Sequence, residues 1–150
     1  MDQSLFNNID IQKNDVHFPD VMLPESNTMI YYTNEFAKFG PVDLQILGIG
    51  INGHIAFNEP GSGISSSIRI VKLSQETIER NNAPTNKALT MGISEILQSK
   101  VIILMANGKE KCEAIYKAFK EKPSADVPAS YLQKHEKLYV ITDIDAASLL

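Results

Sequence analysis

The chain has 150 residues, of which 43% are hydrophobic and 21% are charged, and its formal net charge at pH 7 is -4. This length and composition suit a single soluble globular domain. The negative charge argues against general affinity for nucleic acid or acidic membranes, and no apolar stretch approaches the ~20 residues that span a bilayer.

The first forty residues predict connecting structure followed by one helix. The start, MDQSLFNNID, lacks the basic-then-apolar order of a signal peptide, so a cytoplasmic location is expected. The residues up to Asp20 show no sustained hydrophobic period. A helix is predicted from Ser26, a candidate N-cap, to a stop at Gly40. Its apolar residues recur at helical spacing: Met29, Tyr32, Phe36 and Phe39.

The middle of the chain predicts two strands and a helix around a glycine-rich loop. VDLQILG suits a strand of a parallel sheet, and IRIVKL suits a short strand after the loop. The segment SQETIERNN predicts a helix that begins after Ser74 as N-cap and is ended by Pro84.

The second half predicts further strands and helices in alternation. ALTMGISEILQSK suits a short strand entering a short helix. KVIILMANG is an almost unbroken apolar run, which is typical of a sheet covered on both faces. VPASYLQKH predicts a short helix and KLYVITD a last strand.

An amphipathic helix is predicted over GKEKCEAIYKAFKEK, and it contains the single cysteine. Its apolar stripe consists of Ala114, Ile115, Ala118 and Phe119. One cysteine excludes an internal disulfide and fits a reducing compartment. Because Cys112 lies within a helix, a packing role is favoured over a nucleophilic one.

The alternation of strands and helices predicts an α/β fold with three layers, a mostly parallel sheet and helices on both faces, in the Rossmann-like manner. In open α/β sheets, ligands bind beyond the carboxyl ends of the strands. Two glycine-bearing loops leave such ends, one from Gly48 and the other over residues 106–109. We therefore expect a functional site at these loops.

The first of these loops, LGIGINGHIAFNEPG, matches the GxGxxG dinucleotide fingerprint through Gly48, Gly50 and Gly53. That fingerprint requires its third glycine to open a substantial helix, but Pro60 and Gly61 would stop one within two turns. The acid expected about twenty residues later falls in a predicted helix. A tight turn is therefore favoured over dinucleotide binding, and neither a cofactor nor a metal is expected.

The same loop carries groups suited to proton transfer. His54 can give and take protons near neutrality, because its unperturbed pKa is ~6.5. Glu59 follows and Asn52 precedes it closely, so both can approach the imidazole if the segment curls. This is the base-plus-orienter arrangement of general acid–base catalysis. Spacing alone leaves open that His54 is an ordinary loop histidine and Asn52 a turn residue.

The loop motif resembles the signature of the glucosamine/galactosamine-6-phosphate isomerase family, and the segments LFNNIDIQKNDVHFPD, ALTMGISEILQSKVIILMANGKEKCEAI and VPASYLQKHEKLYVITD resemble other parts of it. The resemblance implies an aminosugar-6-phosphate deaminase, of the hydrolase/isomerase kind, that converts glucosamine 6-phosphate to fructose 6-phosphate and ammonia. Galactosamine 6-phosphate as the substrate and a non-catalytic sugar-phosphate-binding fragment stay open as alternatives.

The resemblance also implies roles for particular residues. His54 would open the sugar ring, supported by Glu59 and by Asn52, where many family members have aspartate. The glycines of the loop, Gly48, Gly50 and Gly53, would contact the substrate. Lys111 would hold the phosphate, with Lys109 as the neighbouring alternative; without the resemblance, a solvated helix face is the favoured interpretation of these lysines.

Two departures from the family pattern stand out. The family has a phosphate-binding arginine just after the helix that corresponds to SQETIERNN; here Ala83 lies near the expected place, the stretch NNAPTNKAL has no arginine, and Arg80 is expected to point elsewhere. The family also has a segment before this chain's start, with the first strands, a phosphate loop and a catalytic aspartate. Residues 1–150 are therefore expected to form a single partial domain, truncated at the N-terminus. Its ligand would be a hexosamine 6-phosphate, and neither nucleic acid nor membrane is expected as a partner. A homo-oligomer and a complementing N-terminal half are the two alternatives for a protein partner.

Overall fold

The computed structural model describes residues 5–19, 23–82 and 84–150. Ala83, which the resemblance places near the position of the family arginine, lies outside these ranges. The strands are β1 (Leu44–Gly48), β2 (Arg69–Lys72), β3 (Lys87–Thr90), β4 (Val101–Ala106) and β5 (Leu138–Thr142). The α-helices are α1 (Glu25–Phe39), α2 (Gln75–Asn81), α3 (Ile93–Leu97) and α4 (Cys112–Lys120). Short 3-10 helices cover Phe6–Asn8, Lys13–Asp15, Lys109–Lys111 and Pro128–Lys134.

The strands form a parallel sheet and a separate ribbon. In the sheet, β4 lies between β1 and β5, and all three strands run parallel. Strands β2 and β3 pair antiparallel as a two-stranded ribbon. The predicted α/β class with a mostly parallel sheet is confirmed, and the ribbon is the antiparallel addition to it.

The core lies between one face of the sheet and the helices that follow it. Ile102 and Leu104 of β4 are fully buried, as are Ile115 of α4 and Leu132 of the last 3-10 helix. The predicted apolar stripe of α4 is confirmed, since Ala114, Ile115 and Ala118 are buried and Phe119 packs against the same cluster. No helix in the described ranges is both long and apolar enough to cross a bilayer.

The opposite face of the parallel sheet is open. Ile46, Met105 and Tyr139, one residue from each strand, are exposed on it. The expectation that β4 is covered on both faces therefore holds for one face only within the described residues. Along β4, buried residues alternate with half-buried ones and with exposed Met105, and this alternation separates the two faces.

Several element boundaries differ from the sequence predictions. Helix α1 begins at Glu25 rather than after Ser26, because the Pro24 carbonyl accepts the first helical hydrogen bonds. Its predicted end at Gly40 is confirmed. Helix α2 begins after Ser74, as predicted, but it ends at Asn81 because Asn82 takes the left-handed conformation before Pro84 is reached.

Candidate functional site

A cavity of about 650 Å³ lies beyond the carboxyl end of β1. Its wall combines helix α1, the loop after β1, helix α2, the end of β3 and the 3-10 turn Lys109–Lys111 before α4. The polar and glycine residues that line it are Tyr32, Gly48, Gly50, Asn52, His54, Glu76, Thr77, Arg80, Thr90 and Lys111. Its position agrees with the sequence expectation that the site follows a strand of the parallel sheet.

Two glycines of the loop make its tight turn possible. The Gly50 amide donates to the His54 carbonyl and the Gly53 amide donates to the Gly50 carbonyl, both at 2.9 Å. A Cβ at residue 50 would lie 2.4 Å from the His54 ring, so Gly50 leaves the space that the imidazole occupies. Gly53 has a φ of +82° and packs against Val127, which gives it a backbone role away from the cavity lining. No helix opens at Gly53, in agreement with the rejection of a dinucleotide loop.

Asn52 connects the histidine segment to the carboxylate. Its Nδ2 donates to Glu59 Oε2 at 2.8 Å, and its Oδ1 accepts the His54 backbone amide at 3.1 Å. The sequence predicted that Asn52 orients the imidazole. In the structure it acts on the backbone of His54 instead, because its short side chain bends back onto its own loop in the manner of an Asx turn.

Glu59 is held in its ionised form by several donors. Besides Asn52, the Thr77 hydroxyl donates to Oε1, and the Ser74 hydroxyl lies 3.2 Å from that oxygen. Burial opposes ionisation, but these hydrogen bonds and the nearby His54 outweigh it, so the pKa of Glu59 lies below its ordinary value. Glu59 is therefore a fixed negative charge at neutral pH.

His54 lies beside this charge with one nitrogen enclosed. Its Nδ1 is 3.6 Å from Glu59 Oε2 and is buried without a hydrogen-bond partner in the described part of the chain. Burial lowers the pKa of His54 below its ordinary value; Glu59 raises it and Lys111 lowers it, and the net direction is downward. The imidazole is therefore neutral near pH 7, the form that can accept a proton.

The structure distinguishes the two candidate lysines. Lys111 lines the cavity, and its Nζ donates to the Ile49 carbonyl at 2.9 Å. Lys109 lies at the start of the same 3-10 helix and outside the cavity lining. The geometry therefore favours Lys111 as the cation available to a ligand. The residues that the structure describes hold no cluster of three acidic, histidine or cysteine side chains suited to a metal ion.

Arg80 lies at the cavity, contrary to the expectation that it points elsewhere. Its guanidinium is 3.4 Å from Glu76 Oε1 within α2 and 3.4 Å from Glu110 Oε1 of the turn before α4. The sequence argument was wrong because it considered only the position of the family arginine. Helix α2 in fact presents Glu76, Thr77 and Arg80 toward the cavity.

Two further contributions were missed by sequence reasoning. Ser74 and Thr77 were predicted only as parts of a helix start, and no local signal connects them to Glu59. Asn58, within the loop motif, is fully buried and donates to the carbonyls of Ile55 and Met91. The Arg69 guanidinium of β2 donates to the Asn58 Oδ1 at 2.9 Å. Asn58 thus anchors the loop to the ribbon.

The chain has relatives across its whole length. Residues 1–140 match the family described as glucosamine-6-phosphate isomerases/6-phosphogluconolactonase. A glucosamine-6-phosphate deaminase of Clostridium botulinum (strain Langeland) is 43% identical over 159 residues, a match that covers 100% of this chain and 65% of that protein. The deaminase of Thermoanaerobacter sp. (strain X514) is 40% identical, with 62% of its length covered. The chain thus spans slightly under two thirds of the length of these relatives.

Solved structures give the same grouping. A monomeric glucosamine-6-phosphate deaminase superposes with a TM-score of 0.94 at 37% identity, over 100% of this chain and 66% of the other. The 6-phosphogluconolactonase of Trypanosoma brucei shares the fold, with a TM-score of 0.70 at 20% identity over 84% of this chain and 54% of the other. The chain belongs to the glucosamine-6-phosphate isomerase/6-phosphogluconolactonase family.

Proposed function

We propose that the cavity is part of the active site of an aminosugar-6-phosphate deaminase whose substrate is a hexosamine 6-phosphate. The observation that carries the proposal is the placement of neutral His54 in the cavity beside ionised Glu59. The relatives named as glucosamine-6-phosphate deaminases support the choice of substrate. Residues 1–150 are proposed to be part of one domain, acting in the cytoplasm, where phosphorylated sugars are retained by their charge.

The proposed role of His54 is to open the sugar ring. In a cyclic aldose, the imidazole removes the proton of the C1 hydroxyl and delivers a proton to the ring oxygen as the bond from C1 to that oxygen breaks. The products of this step are the open-chain aldehyde and a histidine in its original state. Because Nδ1 is enclosed, Nε2 is the nitrogen that exchanges the proton. The charge of Glu59 stabilises the imidazolium between the two transfers.

The residues around His54 are proposed to position Glu59 and to bind the substrate. Asn52, Thr77 and Ser74 are positioning residues, since they hold Glu59 rather than contact the cavity ligand through a reactive group. Lys111 is proposed to bind the phosphate, with Arg80 as a second cation in the cavity lining. Gly48 and Gly50 bring backbone close to the substrate. This division predicts separate effects on turnover and on binding.

The test is an assay of ammonia release. Glucosamine 6-phosphate, galactosamine 6-phosphate and 6-phosphogluconolactone are supplied to the chain alone and to the chain mixed with the remaining third of the Clostridium botulinum relative, meaning the part outside the match. We expect ammonia from an aminosugar phosphate and a loss of about 10²–10⁴-fold in His54→Asn. The control is His17→Asn, because His17 pairs with Glu35 and neither residue lines the cavity.

Two outcomes would overturn the proposal. Hydrolysis of the lactone without ammonia release would assign the cavity to the other reaction of the family. Saturable binding of the aminosugar phosphate without turnover in either preparation would indicate a non-catalytic sugar-phosphate-binding fragment. Comparison of the two aminosugar phosphates decides the epimer.

A further inference from the structure

We propose that Asp143, the residue that follows β5, is a positioning residue that holds Lys111 at the cavity through the backbone amide of Gly108. Asp143 itself does not line the cavity. This role rests on the proposed function, because Lys111 is the residue proposed to bind the phosphate. It connects the cavity to β5, a strand that contributes no side chain to the cavity lining.

The parallel sheet brings Asp143 and Gly108 together just beyond its carboxyl edge. Ala106, the last residue of β4, lies opposite Thr142, the last residue of β5. The Asp143 amide donates to the Ala106 carbonyl at 3.4 Å and so continues the pairing by one step. Gly108 follows β4 by two residues, where the chain turns toward α4. The register of the two strands therefore places the carboxylate beside this turn.

The Asp143 carboxylate accepts hydrogen bonds from two separate segments. The Gly108 amide donates to both oxygens, at 3.1 Å to Oδ1 and 2.9 Å to Oδ2. The Ala146 amide, in the turn after β5, donates to Oδ1 at 2.8 Å. The amides of Ala146 and Gly108 hold the pKa of Asp143 below its ordinary value, so the carboxylate is ionised at neutral pH. A charged acceptor thus joins the turn before α4 to the end of the sheet.

Gly108 passes this restraint on to Lys111. The Gly108 carbonyl accepts the Lys111 amide at 3.0 Å within the 3-10 turn Lys109–Lys111. From this turn the Lys111 side chain crosses to the loop after β1, where its Nζ donates to the Ile49 carbonyl at 2.9 Å. A continuous series of hydrogen bonds therefore runs from Asp143 through Gly108 and Lys111 to the loop that carries His54.

The turn has little apolar packing of its own. Asn107, Lys109 and Glu110 are exposed. The turn also carries the ion pair of Glu110 with Arg80 at 3.4 Å, in which both side chains are about half exposed. Exposed pairs of this kind contribute little, whereas hydrogen bonds to a carboxylate are stronger than neutral ones. The Asp143 carboxylate is therefore the stronger of these two restraints.

Titration of His54 by NMR separates a positioning role from a direct effect of charge. The charges that shift the pKa of His54 are those of Glu59, Lys111 and Glu76, and Lys111 lowers it. If Asp143→Ala frees Lys111, the pKa of His54 should rise, as in Lys111→Met. Loss of the Asp143 charge alone would lower it, because removal of an anion disfavours the imidazolium. In the Lys111→Met background, Asp143→Ala should cause no further rise.

Calorimetry with inorganic phosphate gives a second measurement on the 150-residue chain. Asp143→Ala should weaken phosphate binding roughly 2- to 10-fold, because the turn and Lys111 must then be ordered on binding. Loss of the negative charge alone would instead strengthen the binding of an anion. In the ammonia assay, the same factor should appear in KM rather than in kcat.

Two further variants serve as the conservative change and the control. Asp143→Asn should have smaller effects than Asp143→Ala, because its Oδ1 can still accept the Gly108 and Ala146 amides. Asp145→Ala removes the same charge from the same turn, but Asp145 is exposed and outside the cavity lining. This control should leave the pKa of His54 and the phosphate affinity unchanged. Circular dichroism checks that each variant is folded.

The contrary outcomes are specific. A lower pKa of His54 or tighter phosphate binding in Asp143→Ala would assign its effect to charge and overturn the proposal. A lower Tm with both measurements unchanged would overturn it as well, since Asp143 would then only cap the last turn. If Asp143→Ala does not fold, Asp143→Asn decides by the same signs. Absence of ammonia release from the parent chain would reject the proposed reaction, while the titration and the phosphate binding still decide the role of Asp143.

Discussion

Glu59 and His54 meet at 3.6 Å between Oε2 and Nδ1, close enough for their charges to interact and too far apart for a hydrogen bond. Glu59 is held in place by Asn52 and Thr77, so its charge is fixed and the imidazole is the group that titrates. The Lys111 charge acts in the opposite sense and disfavours the imidazolium. The pKa of the histidine thus responds to two nearby charges of opposite sign.

The first prediction concerns the titration of His54. Glu59 raises and Lys111 lowers the pKa of this residue, so Glu59→Gln should lower it further and Lys111→Met should raise it. Proton NMR of the imidazole resonances across pH 5–8 measures both changes. Lys109→Met is the matched control and should leave the resonance of His54 unaffected. Shifts of the same sign in the two variants would disprove the opposed-charge arrangement.

The second prediction concerns stability and pH. Because burial lowers the pKa of His54, the unfolded chain binds a proton between the ordinary value of ~6.5 and the lowered one while the folded chain does not. Stability should therefore fall as the pH drops through this window. The lowered pKa of Glu59 adds a further loss below its ordinary value of 4.5. His54→Asn should remove the first loss and retain the second in urea unfolding; an unchanged acid-side profile would contradict this.

The third prediction concerns Asn52→Asp. In the protein, Asn52 Nδ2 donates to Glu59 Oε2 at 2.8 Å. The substitution puts a second carboxylate in place of this donor. We expect a loss of about 1–3 kcal/mol in the free energy of unfolding at pH 7. The loss should shrink at acid pH, because one carboxyl then keeps a proton.

Asn52→Ala separates repulsion from the lost hydrogen bond in the same measurement. It should destabilise the protein without the recovery at acid pH. Equal pH profiles for the aspartate and alanine variants would show that repulsion with Glu59 is not the cause.

The fourth prediction concerns the room that Gly50 leaves for the imidazole. A methyl group at residue 50 would lie 2.4 Å from the His54 ring, so Gly50→Ala must displace the ring. Since a displacement near 1 Å can cost about 10²-fold, we expect a loss of that size in kcat for ammonia release. Gly63→Ala is the control, because a Cβ there meets nothing within 4 Å. Comparable losses in both variants would point to a general effect on folding.

The fifth prediction concerns the substrate phosphate. Removing a charged hydrogen-bond donor costs about 1.5–3 kcal/mol, so Lys111→Met should raise KM by roughly 10- to 100-fold. Arg80→Gln should raise KM by less, because Glu76 and Glu110 already share its charge. Lys109→Met should leave KM unchanged.

Binding of inorganic phosphate, followed by calorimetry, checks the same assignment without turnover. It should weaken in Lys111→Met and in Arg80→Gln and persist in Lys109→Met. A raised KM in Lys109→Met alone would assign phosphate binding to Lys109 instead of Lys111.

Local sequence patterns indicated the strands, the α-helices and part of the loop chemistry, but not the two 3-10 helices near the start of the chain. The apolar run of β4 and the stripe of α4 identified both elements, because hydrophobic period reflects burial directly. Ser74 indicated the start of α2, because serine is a preferred N-cap residue, and its side chain accepts the Thr77 amide in the structure. Within the loop, His54, Asn52 and Glu59 are close in the chain, so a single turn brings them together.

Tertiary structure decided the contacts that join distant segments. The Thr77 hydroxyl reaches Glu59 across 18 positions, and Lys111 reaches the Ile49 carbonyl across 62. No local pattern encodes such pairs, because they depend on how α2 and the turn before α4 pack beside the loop. The packing of α2 also places Arg80 in the cavity lining. The arrangement of the sheet places Ile46 on its exposed face. Residue order thus determined which groups are available, and packing determined which of them meet.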